Sequence, residues 1–300
     1  MPTAIGRPRR LPRRPAEPQG SGMRDGGREM RSRIRAALDE VALSYGPRAR
    51  ETILLENAGK HVYEIERILS ALPERGSALD LGGGLGVNLR VVRRLRPEAE
   101  LVLVDRLREY TPDNRMGPAG RGVELMECDG IRVIERDFWE EPQLPFAADA
   151  FDVVTVLDVV EHLPGHPLRQ LRELERVARP GGHCLLSGPN AASLKKRVDL
   201  VLGRHPYIPF EEWTGDWYHL HIREYTPAEY RSLLERAGFV DVQVVLSRLV
   251  WQTRARHRYH RRVHGRASPV AAGIYAMLAL ETLFPRLRHT VYAAARKRSG

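Results

Sequence analysis

Residues 77–88, which read S-A-L-D-L-G-G-G-L-G-V-N, restrict the fold of this chain more than any other stretch. A short apolar run ends at Asp80, and four glycines follow within the next six residues. Residues 87–95 then form an apolar segment that also carries arginines. We interpret this order as a strand, a tight turn and a helix, the first half of a βαβ unit. Glycine has no Cβ and the first N–H groups of a helix are unpaired, so a nucleotide-like ligand can approach the main chain there.

Three kinds of nucleotide site have a glycine turn at this place. A phosphate-binding P-loop is excluded, because it needs Gly-Lys and then Ser or Thr, whereas Val87 follows Gly86. The G-x-G-x-x-G fingerprint of NAD-dependent oxidoreductases begins at Gly82 but meets Val87 at its last glycine position, which weakens that interpretation without excluding it. The third pattern is an acid followed by G-x-G-x-G, here Asp80, Gly82, Gly84 and Gly86.

This third pattern resembles motif I of the class I S-adenosylmethionine-dependent methyltransferases. Further segments similar to that family follow in the family's order: L-P-F (144–146), F-D-V-V (151–154), E-H-L (161–163), R-P-G-G (179–182), T-P-A-E (226–229) and A-G-F (237–239). The resemblance is good over about residues 52–238 and can be followed to about residue 297. It implies S-adenosylmethionine as the cofactor.

Acidic residues follow the later predicted strands. Residues 101–104 are apolar and precede Asp105, which stands about 20 residues after the glycines, where a nucleotide site places its ribose-binding carboxylate. Residues 133–134 form a short third strand, followed by Asp137 and Phe138. The resemblance implies that Asp137 accepts a hydrogen bond from adenine and that Phe138 packs on its ring. The other cofactor residues that it implies are Asp80, Gly82, Gly84, Gly86 and Asp158.

The candidate catalytic residues are histidines. The nearly continuous apolar run 151–157 predicts a central strand, and ligands of such sheets bind at the carboxyl ends of strands, next to His162. An insertion at about 191–225 carries tryptophans with His219 and His221, and it would form a lid over the acceptor. If the acceptor is a hydroxyl, His162, His219 and His221 are the candidate bases. Alternatively, His162 braces its loop and the insertion forms a small satellite core. We find no metal-ligand spacing and expect no metal.

The predicted fold is α/β, with a Rossmann-like seven-stranded mixed sheet, helices on both faces, N-terminal helices and a lid insertion after the fifth strand. Residues 1–30 are rich in Pro, Arg and Gly, which predicts a disordered basic tail. Apolar residues at helical spacing in 31–43 and 52–72 predict an N-terminal helical cap over residues 31–75.

The methyltransferase domain would then cover residues 76–300. It would contain the lid insertion and a basic insertion at about 246–268. Residues 290–295 would be an antiparallel seventh strand, because they have β character. The apolar stretch 270–284 is too short to span a bilayer and predicts either a core helix or an interfacial helix.

The net charge of +10 lies on the two flanks of the chain. The first 35 residues carry about +7 and residues 246–300 about +11, which leaves about −8 between them. Basic flanks attract nucleic acid or anionic membranes, or they are simply solvated. Peripheral membrane contact through residues 246–284 is therefore one expectation. Two cysteines without a disulfide framework, no transmembrane run and no secretory signal predict a cytoplasmic protein.

The resemblance implies a methyltransferase that acts by in-line displacement on a small-molecule, glycan or lipid-linked acceptor. The alternative is an RNA-binding protein or RNA methyltransferase that uses the basic flanks. This alternative is less favoured, because Tyr259 is the only stacking aromatic between Arg254 and Arg266.

Overall fold

The computed structural model describes residues 21–106, 119–207, 221–247, 273, 276 and 279–300. Within these residues the strands are β1 (Ser77–Leu81), β2 (Glu100–Asp105), β3 (Arg132–Glu135), β4 (Phe151–Leu157), β5 (Ala178–Pro189), β6 (Val240–Ser247) and β7 (Thr290–Arg296). They form one sheet in the order β3-β2-β1-β4-β5-β7-β6. β7 is antiparallel to both of its neighbours, β5 and β6, and the other neighbouring pairs are parallel. The predicted seven-stranded mixed sheet, including its antiparallel seventh strand, is confirmed.

Helices lie on both faces of the sheet. In chain order the described helices are α1 (Ser21–Leu43), α2 (Pro47–Glu51), a π-helix (Thr52–Glu56), α3 (Ala58–Ala71), α4 (Val87–Leu95), α5 (Ala119–Cys128), α6 (Leu168–Val177), α7 (Leu194–Val201) and α8 (Pro227–Ala237). One apolar core contains side chains of α1, α3, α4 and α5, and the other contains side chains of α6 and α8.

Along the central strands, alternate side chains pack in the two different cores. In β2, Leu101 and Leu103 pack in the core with α1, α3 and α4, whereas Val102 and Val104 pack in the core with α6 and α8. This follows from the strand geometry, in which neighbouring side chains point to opposite faces. Because both faces are covered by helices, these strands read as continuous apolar runs in the sequence.

Helix α1 begins at Ser21, so the predicted disordered tail is wrong for residues 21–30. Residues 1–20 lie outside the described part of the chain. Ile34 and Leu38 of α1 are fully buried against the rest of the cap. Once such packing has formed a helix, extending it toward the N-terminus needs no new nucleation, even through the sequence Gly26-Gly27. Composition alone placed the boundary about ten residues too late.

The helical cap also contains a break that periodicity did not predict. Residues 52–72 were expected to form one helix, but a π-helix ends at Asn57, whose N–H donates to the Thr52 carbonyl over 3.0 Å. Helix α3 starts anew at Ala58. A single i→i+5 turn adds one residue to a helix, and the approximate apolar spacing of one short segment does not show where that extra residue lies.

Residues 208–220 of the predicted lid insertion and residues 248–268 of the predicted basic insertion lie outside the described part of the chain. In the lid insertion the structure describes α7 and residues 202–207 and 221–225, with a parallel bridge between Asn190 and Tyr225. In the basic insertion it describes only the end of β6. Residues 279–283 are helical, but Leu283 is 71% exposed, so this part does not form the core helix that was one expectation. No described helix is both long enough and apolar enough to cross a membrane.

Helix α8 has the N-terminus that its sequence predicts. Thr226 is the N-cap, and its hydroxyl accepts from the Glu229 N–H over 3.3 Å. The Glu229 carboxylate accepts from the Thr226 N–H over 2.8 Å, which completes a capping box. Tyr230 and Leu234 of this helix are fully buried. The cap therefore fixes the start of a helix that covers one face of the sheet.

We predict that Thr226→Ala lowers the free energy of unfolding by about 1 kcal/mol, because the hydroxyl that satisfies an otherwise unpaired helix N–H is lost. Urea unfolding followed by circular dichroism measures the change. Thr226→Ser keeps the hydroxyl and should stay close to the wild type. Equal losses in the two variants would contradict a role for this cap.

Candidate cofactor and acceptor site

The glycine turn joins β1 to α4 as predicted, and two of its glycines combine a positive φ with a lack of room for a side chain. Gly82 has φ +76°, and a Cβ built on it would lie 2.6 Å from Cγ2 of Val159. Gly86 has φ +69°, and a Cβ there would overlap the side chain of Met126. Gly84 also has a positive φ of 56°. The main chain can therefore take this path only with glycine at these positions.

Asp105 holds the glycine turn against the end of β2. The Gly84 N–H donates to Asp105 Oδ2 over 2.6 Å, and the Arg106 N–H donates to Oδ1 over 2.6 Å. The Asp105 side chain is 6% exposed. The acid predicted to bind ribose thus lies next to the predicted glycine turn, and both its oxygens are oriented by main-chain donors.

Asp137 is linked to the same edge of the sheet. Arg106 Nη1 lies 2.9 Å from Asp137 Oδ2, while Asp137 Oδ1 accepts from the N–H groups of Trp139 and Glu140. Phe138 is 9% exposed and belongs to the core that contains α6, and its predicted packing on the adenine ring stays a prediction.

Asp80 lies beneath the glycine turn. It is 2% exposed, and its Oδ1 accepts from the Thr155 hydroxyl of β4 over 2.6 Å. A Cβ built on Gly83 would collide with Asp80 Oδ2, so the carboxylate fills the space directly under the turn. Burial raises the pKa of Asp80 from 3.8 to about 7. When ionised, the Asp80 carboxylate would therefore attract a positive charge that lies above the glycine turn.

Asp158 follows β4 with φ +53° and joins three elements. Its Oδ1 accepts from the Ser187 hydroxyl of β5 over 3.2 Å, and its Oδ2 forms an ion pair with Lys60 of α3. The helical cap therefore reaches the carboxyl end of the central strand.

A second contact of the cap reaches the first turn of α4. His61 Nδ1 lies 2.8 Å from Asn88 Oδ1, and Asn88 Nδ2 donates to Glu64 Oε2 over 3.0 Å. Burial lowers the pKa of His61, so its ring is neutral near pH 7. These bonds hold the start of α4 against the start of α3, on the side of the glycine turn.

The stretch after Asp158 brings two predicted residues together with one that was not predicted. Glu161 and His162 lie in a short 3₁₀-helix, and the His162 and His221 rings meet edge to face with centroids 4.9 Å apart. Glu161 is 1% exposed, its Oε2 has no hydrogen bond among the described residues, and burial raises its pKa to about 7.

His221 is oriented by a carboxylate. Its Nδ1 lies 2.8 Å from Glu224 Oε1, and Glu224 also forms a buried ion pair with Lys196 of α7. Burial, together with the charges of His162 and Lys196, lowers the pKa of His221 to about 4. His221 is therefore neutral at physiological pH and able to accept a proton or to bind a cation.

The sequence interpretation missed part of this cluster. His219 lies outside the described residues, so its predicted role stays a prediction. We expected no metal-ligand cluster, but the fold brings one ligand atom each of Glu161, His162 and His221 to within 4.8 Å of one another. Glu161 directly precedes His162 in the E-H-L segment, and this acid next to a candidate base was the one sequence signal that could have indicated Glu161 as a site residue. Nothing in the sequence indicated Lys196 or Glu224.

We predict that Asp80 makes the unfolding free energy fall as pH rises. Between about pH 4 and 7 the folded protein retains a proton on Asp80 that the unfolded chain has released, so stability is lost over this range. Relative to Asp80→Asn, the wild type should lose up to about 4 kcal/mol between pH 4 and 8. Urea unfolding without cofactor measures this difference.

Asp149→Asn is the matched control for that experiment, because Asp149 is a half-exposed surface carboxylate with an ion pair to Lys297. It should keep the wild-type pH dependence. If Asp80→Asn kept it as well, the buried carboxyl would not be the titrating group.

The comparisons with known proteins agree with this geometry. A family model described as a methyltransferase domain matches residues 58–244, more than half of the chain. A Mycobacterium tuberculosis protein described as a probable S-adenosylmethionine-dependent methyltransferase is 32% identical over 143 residues, which cover 41% of this chain and 46% of that protein. Acetylserotonin O-methyltransferase of Mus musculus is 29% identical over 173 residues, which cover 53% of this chain and 38% of that protein. The chain spans less than half of the length of either relative.

Among solved structures, phosphoethanolamine N-methyltransferase 2 of Haemonchus contortus in complex with S-adenosyl-L-methionine superposes with a TM-score of 0.53. It is 15% identical, and the match covers 87% of this chain and 57% of that chain, so it shows the fold alone. The matches favour the methyltransferase over the NAD-dependent oxidoreductase that the glycine spacing left open. S-adenosylmethionine is the cofactor of the matched family, as predicted. The family match over more than half of the chain, on a sheet of the expected order, means that this chain belongs to the class I S-adenosylmethionine-dependent methyltransferases.

Proposed function

We propose that this protein transfers a methyl group from S-adenosylmethionine to a hydroxyl oxygen of a small-molecule acceptor. The observation that carries the proposal is the hydrogen bond between Gly84 and Asp105, which joins the glycine turn to an oriented carboxylate at the carboxyl ends of β1 and β2. When bound, S-adenosylmethionine supplies a methyl group on a positively charged sulfur, which is already a strong electrophile.

The residues around the turn fit this cofactor. Asp105 would accept from the ribose hydroxyls and Asp137 from the adenine amino group, as the resemblance implies. The N–H groups at the start of α4 and the bare main chain of the turn would face the amino-acid part. Asp80 would favour a positive charge above the turn, because a cation there stabilises its ionised form.

The acceptor side supports an oxygen as the methylated atom. A hydroxyl loses its proton during methylation, and His221 is a neutral base oriented by Glu224 at the carboxyl end of the central strand. The mouse relative is named an O-methyltransferase, which is consistent with this choice. Most of the remaining rate enhancement would come from holding the oxygen in line with the methyl group and from excluding water.

We predict that Asp105→Ala weakens the binding of S-adenosylhomocysteine by about 1–3 kcal/mol, the cost of leaving polar partners unsatisfied. Isothermal titration calorimetry measures the affinity, and Asp149→Asn is the control that removes a surface carboxylate elsewhere. Unchanged affinity in Asp105→Ala would remove this residue from the cofactor site. Thermal stabilisation of the wild type by NAD but not by S-adenosylmethionine would overturn the proposed function.

A lipid-linked acceptor is the second candidate, and one observation favours it. Leu280, Leu283 and Phe284 are 42%, 71% and 55% exposed and are followed by Arg286. Apolar side chains next to cations are typical of a segment that lies in an anionic membrane interface. The RNA alternative depends on the basic flanks, of which residues 1–20 and most of residues 248–278 lie outside the described part of the chain.

We predict that the protein sediments with vesicles that contain phosphatidylserine and much less with vesicles of phosphatidylcholine alone. The double change Leu283→Glu and Phe284→Glu should reduce this binding at least tenfold, because it removes apolar contact and adds repulsion. Leu43→Glu changes an equally exposed leucine on α1 and should bind as the wild type does. Equal binding to both kinds of vesicle, or to neither, would contradict membrane contact through this segment.

A further inference from the structure

A buried carboxylate and two imidazoles converge beside the proposed acceptor position. Glu161 and His162 are neighbours in the 3₁₀-helix after β4, and His221 approaches from the end of the lid insertion. One ligand atom from each side chain lies within 4.8 Å of the other two. Residues almost 60 positions apart in the chain are thus held by the fold around one point.

The carboxylate of this cluster is not accounted for by packing. Glu161 is 1% exposed, and its Oε2 has no hydrogen bond among the described residues. A Cβ built on Gly188 would lie 3.1 Å from this oxygen, so β5 lies directly behind it. Lys60 and Lys196 attract this carboxylate, but neither gives Oε2 a hydrogen bond. A buried carboxylate oxygen without a hydrogen bond is costly, and such groups persist where a partner or a function compensates them.

His221, which comes from the lid insertion, has the orientation that a metal ligand needs. Because His221 Nδ1 bonds to Glu224 Oε1, its Nε2 is directed away from that carboxylate. A metal-bound histidine almost always has such an outer carboxylate or carbonyl on its second nitrogen, which fixes the tautomer and ring orientation. The ion pair of Glu224 with Lys196 anchors this outer carboxylate to α7.

We propose that Glu161, His162 and His221 bind one divalent transition-metal ion, with zinc as the best fit, and that the acceptor hydroxyl binds to its open position. Two imidazoles and a carboxylate with an open fourth position are a known catalytic zinc arrangement, whereas magnesium and calcium prefer oxygen ligands. Metal–ligand bonds of about 2.0–2.2 Å hold the ligand atoms of a tetrahedral site about 3.3–3.6 Å apart. Side-chain rotations that bring the three ligand atoms, now within 4.8 Å of one another, up to about 1.5 Å closer would complete the site.

This site deepens the proposed function and rests on it. With His221 acting as a metal ligand instead of as the base, a bound cation would lower the pKa of a coordinated hydroxyl, so the acceptor would release its proton to water and remain as a metal-bound alkoxide or phenoxide. An oxygen lone pair then forms the C–O bond, while the methyl–sulfur bond breaks and sulfur keeps that electron pair. The charge balance closes, because one proton leaves and the sulfonium becomes a neutral thioether.

Metal binding by the full-length protein tests the proposal without an activity assay. The wild type, stripped with a chelator, should bind one Zn²⁺ per chain in calorimetry, and Co²⁺ in its place should show the visible absorption of a nitrogen- and oxygen-bound site. Glu161→Gln and His221→Ala should each weaken Zn²⁺ binding at least a hundredfold. Glu224→Gln should weaken it by about 10–100-fold, the usual effect of an outer partner.

Matched controls separate this site from adventitious zinc. His166→Ala removes a nearby exposed histidine, and Cys128→Ser removes the exposed cysteine, so both should keep the wild-type affinity for Zn²⁺. Binding of S-adenosylhomocysteine by every variant shows that it is folded. A wild type that binds no Zn²⁺, or a Glu161→Gln protein that binds it as tightly as the wild type, overturns the metal site.

The failure of this proposal is distinguishable from the failure of the proposed function. If the protein binds S-adenosylmethionine and methylates a hydroxyl equally well with and without a chelator, the metal proposal is wrong and the methyl transfer stands. If Zn²⁺ binds at the three ligands but S-adenosylmethionine does not bind, the proposed function is wrong.

Discussion

The hydrogen bond from the Gly84 N–H to the Asp105 carboxylate is the contact on which the cofactor side of this structure depends. It attaches a turn without side chains to the end of the neighbouring strand, and the Gly82 N–H extends the same connection by donating to the Val104 carbonyl over 2.8 Å. With the turn held at both ends, α4 begins at a defined place, and Asn88 in its first turn can meet the helical cap. The main-chain and carboxylate groups at the carboxyl ends of the parallel strands are therefore already oriented for binding a ligand.

Buried charge distinguishes the other half of the site. Glu161, Lys196 and Glu224 are each at most 5% exposed, although ionised groups are costly to bury and a buried ion pair seldom adds net stability. A chain selected for stability alone would place apolar residues there. The cluster lies beside the end of the central strand, and its groups have shifted pKa values, a combination that is common where chemistry takes place. The proposed acceptor reaction would account for these buried charges.

Family membership and specific activity rest on different observations in this protein. The sheet order and the family match show a class I methyltransferase domain, but one fold serves many reactions, and the chain spans less than half of the relatives described above. The acceptor must therefore be argued from the site itself. The oriented His221, the unsatisfied Glu161 and the exposed apolar residues near Phe284 are the features that restrict it.

The sequence by itself determined what depends on neighbouring residues. The glycine turn, the capping box of Thr226 and Glu229, and the apolar runs of the central strands are local patterns with one physical reason each, and the structure contains all of them. Tertiary packing decided where α1 begins, why the cap breaks at Asn57 and that Asp80 lies under the turn. It also decided that Glu161 meets His221, because a contact between residues far apart in the chain depends on how helices and strands pack and leaves no spacing for a sequence pattern to show.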